Sequence, residues 1–184
     1  MQDIALQPSL FLQKPWTLIT SMFMHANIFH IAVNMLSLFF LGSFVEKLIN
    51  KKRFIGIYLL SGIIGGLFFI LFSFSPLNGI PGLGISNLDM MAVGASGAIF
   101  GLGGLLAVLT PKVPVYIMFI PIAMPLWLGI TIMFVVLLLI TAGAGLPIGN
   151  AAHLGGLLTG LAYGFYLRKK YKKKIALLDR YFRR

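Results

Sequence analysis

Ser96 and His153 are the two residues of this chain whose types and surroundings best suit chemistry, because each lies in an apolar segment where such groups are rare. His30 and Asn34 lie in a third apolar segment and, four residues apart, share one face of a helix. A serine hydroxyl can attack a carbonyl carbon while an imidazole takes its proton and later returns it to a leaving amine. Two hydrogen-bond donors can stabilise the oxyanion that forms, so these residues together fit acyl transfer to serine.

Each of these residues also has a structural interpretation. A serine in a membrane helix commonly bonds to its own turn, and His30 and Asn34 could simply join neighbouring helices. A lone imidazole in lipid is harder to explain in this way, because its burial is costly unless it is paired. The combination of the residue types on three segments is what favours catalysis.

The sequence offers no obvious carboxylate partner for the imidazole. The acidic residues are Asp3, Glu46, Asp89 and Asp179, and we place Glu46 and Asp179 on the cytoplasmic side. We therefore expect a Ser-His dyad rather than a triad. Glu46 is interpreted as a helix-end carboxylate that is paired with basic or backbone groups.

The composition is that of an integral membrane protein: 59% of the residues are hydrophobic, 10% are charged and the mean hydropathy is +0.96. Five apolar runs approach the roughly 20 residues that cross the hydrocarbon of a bilayer, and they lack the strict alternation of barrel strands. These runs are 28–45, 54–74, 91–109, 127–140 with its flanks, and 151–167. The prediction is an all-α polytopic membrane protein with five transmembrane helices. The chain has no cysteine, so neither disulfides nor thiol chemistry can be involved.

The positive charges predict the orientation in the membrane. The net charge is +11, and Lys and Arg follow the first, third and fifth spans but are absent from the loops 75–89 and 141–150. The positive-inside rule places these two loops outside and the C-terminus in the cytoplasm, as in a multi-pass protein of the cell membrane. The basic tail from residue 168 onward is interpreted as an anchor at an anionic leaflet rather than as a nucleic-acid-binding arm.

The predicted organisation is a single membrane domain, 1–184. It comprises an external interfacial segment (1–24), a transmembrane core (25–168) and a basic cytoplasmic tail (169–184). The external segment is expected to be irregular or partly helical, with Trp16 at the depth of the lipid headgroups. Residues 113–125 contain three prolines and are expected to form a re-entrant or interfacial connection before a helix from about residue 126 to 141.

This topology puts the candidate residues in one layer. Ser96 follows the first external loop and His153 follows the second, so each lies a turn or two below the outer surface. His30 and Asn34 belong to the external half of their span. We therefore expect a site that opens to the external side of the membrane.

Glycines indicate where backbones should approach closely. Gly156, Gly160 and Gly164 lie four residues apart and form one flat face of the last span. On the segment that carries the serine, Gly94 and Gly97 would let the backbone pass close to a substrate and to a partner helix.

Over nearly its whole length the chain resembles the rhomboid intramembrane serine proteases. Gly-Ala-Ser-Gly at 94–97 matches the G-x-S-G motif of that family, and residues 152–156 together with Gly160 match A-H-x-x-G-x-x-x-G. The second helix of the family is matched by His25, His30, Asn34, Gly42 and Glu46. The motifs follow one another in the order of the family.

The resemblance implies a role for each candidate residue. Ser96 would be the nucleophile and His153 the base, while the Ser96 backbone N–H, His30 and Asn34 would form the oxyanion hole. Phe100 would occupy the place where the family often has a tyrosine against the catalytic imidazole.

The resemblance also assigns the loops. Residues 1–24 would be an external loop half sunk in the membrane, and residues 141–150 would be a cap over the site. The helix before that cap would be a lateral gate for a substrate segment.

Two departures from the family pattern stand out. Many bacterial rhomboids have Trp-Arg in the first external loop, whereas Trp16 is followed here by Thr17. The usual six-helix core also has a helix ahead of this loop, and five spans with a cytoplasmic C-terminus place the N-terminus outside. We therefore expect this chain to be a truncated form of a six-helix protein.

The function that follows is an intramembrane serine endopeptidase that cuts other membrane proteins in or near their transmembrane segments, without metal or cofactor. One alternative is a catalytically silent rhomboid-like protein that binds membrane helices, but a pure binder needs neither Ser96 nor His153. Another is a small transporter or channel, which intramembrane charges would favour; the predicted spans have none near their centres.

Overall fold

The computed structural model describes residues 3–74, 88–116, 122–144 and 148–181 and is mostly helical. The outer loop 75–89 and the cap 141–150 that the sequence predicts lie partly outside these described residues. Within them, the chain forms an α-helical membrane bundle, as predicted.

The N-terminal segment is partly helical, in agreement with the prediction. It contains a 3₁₀ turn at Pro8–Leu10, helix α1 (Thr17–Thr20) and a second 3₁₀ turn at Ser21–Phe23. Leu6 and Ala92 exchange two backbone hydrogen bonds of 3.0 and 2.8 Å, which attach this segment to the chain just before the serine.

The first span is longer than predicted and is not a regular helix throughout. Helix α2 (Ile28–Ser37) leads through a π-helical turn at Leu38–Gly42 into helix α3 (Ser43–Ile49). The helix ends because Asn50 adopts a φ of 72°, outside the helical region. The predicted pairing of Glu46 is not seen: its exposed side chain has no ion pair or hydrogen bond to any residue that the structure describes.

Three helices form the centre of the bundle: α4 (Lys51–Phe74), α5 (Ser96–Leu109) and α7 (Asn150–Lys170). Every residue of α5 except Ser96 and Ala107 is buried. Within the apolar run 91–109 the helix begins at the serine, because the preceding residues pair with the N-terminal segment.

Helix α6 (Leu126–Ala144) lies at the edge of this centre, and only Leu126 and Gly129 are buried. The segment before it, predicted as a re-entrant or interfacial connection, contains two short antiparallel strands, β1 (Pro114–Val115) and β2 (Met124–Pro125). The prolines are tolerated because each strand lies at the edge of a two-stranded ladder.

The basic tail contains a helix that the sequence analysis did not predict, α8 (Lys172–Tyr181). Arg168 attaches this helix to the bundle, since its guanidinium donates 2.7 Å hydrogen bonds to the Val108 carbonyl and to the Asp179 carboxylate. Ile175 is buried against the core. The tail is therefore packed onto the bundle as well as charged.

In the part of the chain that the structure describes, three segments are long and apolar enough to cross a membrane: Ile28–Ile49, Lys51–Phe74 and Leu126–Ala144. Helix α5 is apolar but shorter, and α7 ends in a run of basic residues. The protein is a multi-pass membrane protein. The number of five spans stays a prediction.

Candidate active site

Ser96 is the first residue of α5, at a turn that a glycine makes possible. Gly94 has a φ of +118°, a region that L side chains rarely adopt, and its N–H donates a 2.9 Å hydrogen bond to the Ser21 carbonyl. A Cβ on Gly94 would lie 2.8 Å from Cε1 and Nε2 of His30. The glycine thus allows the His30 imidazole to lie against the backbone two residues before the serine.

The Ser96 Oγ lies 2.7 Å from Nε2 of His153, which is within hydrogen-bond distance. The two residues are 57 positions apart in sequence. His153 is 5% exposed and lies in the first turn of α7, so the pair forms where α5 and α7 begin side by side.

The contact between these helices depends on glycines. A Cβ on Gly156 would overlap the carbonyl oxygen of Gly97, and a Cβ on Gly160 would overlap that of Gly101. With any side chain there, the backbones could not come this close. The flat glycine face of α7 therefore brings His153 to the depth of Ser96.

Phe100 covers one face of the imidazole. Its ring is stacked on that of His153, with centroids 4.7 Å apart and an interplanar angle of 29°. Phe134 of α6 contacts Phe100 edge-on, at 5.9 Å. The stacked Phe100 ring, itself held by Phe134, restricts rotation of the histidine ring.

His30 and Asn34 lie on the neighbouring helix α2, but the Asn34 amide is directed along its own helix. Its Nδ2 donates a 2.8 Å hydrogen bond to the His30 carbonyl, and its buried Oδ1 has no partner among the described residues. The rings of His25 and His30 are in edge-to-face contact at 5.2 Å. Burial, and then the nearby His30, lower the pKa of His25.

Asn150 is the site residue that the sequence analysis missed. Its Oδ1 lies 3.2 Å from Nδ1 of His153, and its Nδ2 donates to the Thr141 hydroxyl oxygen at 2.7 Å and to the Leu137 carbonyl at 3.2 Å. A signal was present, because Asn150 and His153 are three residues apart and so share a helix face.

The carboxylates for which the structure shows partners are engaged away from this site. Asp3 pairs with Lys14 at 2.7 Å, Asp179 pairs with Arg168, and Asp89 accepts hydrogen bonds from the N-terminal segment. The Lys14 ammonium holds the pKa of the Asp3 carboxyl below its usual value. Among the residues that the structure describes, His, Asp and Glu side chains do not gather in a group of three that could hold a metal ion.

A family model of the rhomboid domain matches residues 12–170, a range that contains all the residues of this site. The chain belongs to the rhomboid family. Among its rhomboid relatives, RHOMBOID-like protein 2 of Arabidopsis thaliana is 35% identical over 152 residues, which is 83% of this chain and 42% of the relative. Rhomboid protease GluP of Bacillus subtilis is 34% identical over 149 residues, 79% of this chain and 24% of the relative.

A third relative of this rhomboid chain is Rhomboid protein 1, mitochondrial, of Saccharomyces cerevisiae, with 29% identity over 177 residues, 92% of the chain and 48% of the relative. The chain thus spans between about a quarter and a half of the length of these three relatives. The rhomboid family acts on membrane-protein substrates. What this rhomboid chain itself does is therefore argued from its own site.

Proposed function

We propose that this rhomboid is an intramembrane serine endopeptidase that hydrolyses peptide bonds in or near the transmembrane segments of other proteins. The observation that carries the proposal is the 2.7 Å separation of Ser96 Oγ and His153 Nε2. A nucleophile and a base at this distance, in a pocket where the base is almost completely buried, meet the geometric requirement for covalent catalysis.

The chemistry proceeds in two halves. In the first half, His153 Nε2 takes the hydroxyl proton as Ser96 Oγ forms a bond to the carbonyl carbon, and it returns that proton to the amine nitrogen as the C–N bond breaks. In the second half, His153 takes a proton from water, the water oxygen attacks the acyl carbon, and the proton returns to Ser96 Oγ as the ester bond breaks. Nothing is oxidised or reduced, and the residues present supply every proton transfer.

The negative charge on the carbonyl oxygen needs donors in both halves. Ser96 is the first helical residue of α5, and the first N–H groups of a helix have no intrahelical acceptor. We assign the Ser96 N–H to the oxyanion hole together with the side chains of His30 and Asn34. For Asn34 this assignment includes a side-chain rotation, because its Nδ2 donates to the His30 carbonyl in the structure.

The substrate segment enters beside α6, which has few buried residues and packs far less extensively on α7 than α5 does. A helix with this little burial can be displaced at low cost. The cap is assigned to residues 141–150, of which 145–147 lie outside the described residues. In this proposal the chain is one membrane domain, 1–184, in the cell membrane, with the C-terminus in the cytoplasm and the site open to the external side.

The test compares the full chain in bilayer nanodiscs with Ser96→Ala and His153→Ala, using a fluorophosphonate probe and a model substrate with one transmembrane segment. The parent protein should be labelled at Ser96 and should cut the substrate, and both variants should lose each activity. Labelling without cleavage would mean that the dyad is competent but the substrate is wrong. A parent that is neither labelled nor active would contradict the proposal and favour the alternative of a silent helix-binding protein.

A further inference from the structure

Asn150 connects the candidate catalytic histidine to helix α6. Its side chain is 1% exposed, and it contacts His153 through one end of the amide and α6 through the other. An amide has two donor hydrogens on one side and an acceptor oxygen on the other, so which end faces the histidine decides which imidazole nitrogen carries the proton.

The partners on α6 settle the orientation of the amide. Leu137 offers a backbone carbonyl oxygen, which can only accept, so the group 3.2 Å away must be the NH₂ of Asn150. The Thr141 hydroxyl donates its single hydrogen to the same Leu137 carbonyl at 2.9 Å, so toward Asn150 it too can only accept. Both hydrogens of the Asn150 NH₂ are therefore directed to α6.

The orientation of the Asn150 amide also determines the roles of His153 and Ser96. With its NH₂ directed to α6, Asn150 presents Oδ1 to His153, and an oxygen acceptor 3.2 Å from Nδ1 requires a hydrogen on that nitrogen. A neutral imidazole carries only one N–H hydrogen, so Nε2 is left with a lone pair toward the Ser96 hydroxyl. The Leu137 carbonyl of α6 thus determines the donor and acceptor roles along the whole series. The series runs through the Thr141 hydroxyl, the Asn150 amide and the His153 imidazole to the Ser96 hydroxyl.

We propose that Asn150 is a positioning residue through which α6 sets the tautomer of His153, so that the base can accept the serine proton only while α6 is in contact with Asn150. This inference deepens the proposed function and rests on it for its catalytic meaning. Displacing α6 removes the two acceptors that orient the amide, and its NH₂ can then turn to the imidazole. A hydrogen on Nε2 would then face Ser96, and the serine could not be deprotonated.

The first experiment measures the tautomer directly. The chain has three histidines, so ¹⁵N-histidine spectra of the full chain in nanodiscs are simple, and the His153 signals are assigned by their loss in His153→Gln. At a pH where the imidazole is neutral, the parent should show a hydrogen on Nδ1 and none on Nε2. Ser96→Ala should show the same tautomer, because Asn150 rather than the serine sets it. A parent with its hydrogen on Nε2 would overturn the proposal.

The second experiment adds the rate of fluorophosphonate labelling. Asn150→Leu keeps the size of the side chain but neither donates nor accepts, and it should populate the Nε2-protonated tautomer. Labelling should slow by about 10- to 100-fold, the range known for removing the partner that orients a metal-bound histidine. Retention of the parent tautomer and rate would show that Asn150 has no positioning role.

Variants of Thr141 test the role of α6 in orienting the base while Asn150 itself is unchanged. They also keep the proposal testable if Asn150→Leu does not fold. Thr141→Val removes one acceptor and leaves the Leu137 carbonyl, so labelling should slow by roughly 2- to 10-fold, the equivalent of one neutral hydrogen bond. Thr141→Ser should restore the parent rate. The matched control is Thr131→Val, because Thr131 is also on α6 and donates to the carbonyl four residues earlier, at 2.9 Å.

The outcomes separate the inference from the proposed function. If Thr141→Val labels as fast as Thr131→Val, α6 does not orient the base and the proposal is wrong. If the tautomers behave as expected but the protein never cuts a transmembrane substrate, the proposed function fails while the positioning role stands.

Discussion

The α-carbon of Gly156 faces the carbonyl oxygen of Gly97 so closely that no side chain fits between α5 and α7 at this point. One turn further along, Gly160 faces the Gly101 carbonyl in the same way. These contacts lie directly behind Ser96 and His153, so the distance between nucleophile and base depends on the absence of two methyl groups.

Gly156→Ala should therefore reduce both stability and activity. Overpacking of a well-packed interior typically costs about 1–3 kcal/mol, and here the neighbour is backbone that cannot turn aside. Thermal unfolding in detergent and the rate of fluorophosphonate labelling measure the two effects. Gly143→Ala is the matched control, because a Cβ on that glycine of α6 would meet nothing within 4 Å. Equal behaviour of the two variants would contradict the close packing.

Gly94→Ala should impair the site more than the fold. A non-glycine residue at φ +118° costs on the order of 1–3 kcal/mol, and the added methyl would also contact the His30 ring. Because the turn precedes the nucleophile, the labelling rate should fall further than the unfolding temperature of the variant alone explains. A variant that unfolds earlier but labels at the parent rate would show that the turn is only structural.

His30→Ala and Asn34→Ala test the oxyanion hole. Each should lower the turnover of a transmembrane substrate by about 10²- to 10³-fold, the effect of losing one oxyanion donor. The loss should appear in kcat, since the donors act on charge that develops in the transition state. A variant with an unchanged kcat would reduce the residue concerned to a packing role.

Phe100 should support catalysis through the stacking of its aromatic ring on His153 rather than through the volume that its side chain fills. Phe100→Leu should lower kcat by roughly 2- to 10-fold, in line with an aromatic pair worth about 0.5–1.5 kcal/mol. Phe100→Tyr keeps the stacked ring and should retain the parent activity, as measured by cleavage of the same substrate. If both variants lost activity equally, the stacking seen at 4.7 Å would not be what supports the histidine.

Much of the fold is predictable from the sequence because burial in a membrane requires particular residue types at each position. The apolar runs, the glycine face of α7 and the isolated polar residues Ser96 and His153 are all visible as residue types and spacings. The motif that surrounds each of these two residues was enough to suggest the rhomboid family, which the family match then showed.

The parts that could not be predicted depend on which distant segments meet. Leu6 pairs with Ala92, for example, and so attaches the N-terminal segment to the chain just before the start of α5. Helix α8 was not predicted from the sequence because its lysines and arginines indicated only a charged tail. It folds against the bundle through Ile175 and through the Arg168 bond to Asp179.

The sequence by itself determined the residue types: a serine, a histidine and the small residues that let their helices approach, in segments too apolar for water. Only the tertiary structure decided how their hydrogen bonds run. Asn34 is directed along its own helix, and Asn150, which drew no attention as the end of a loop, joins His153 to α6. The physical reason is that hydropathy is a property of each residue, whereas the direction of a hydrogen bond depends on partners that folding brings from other helices.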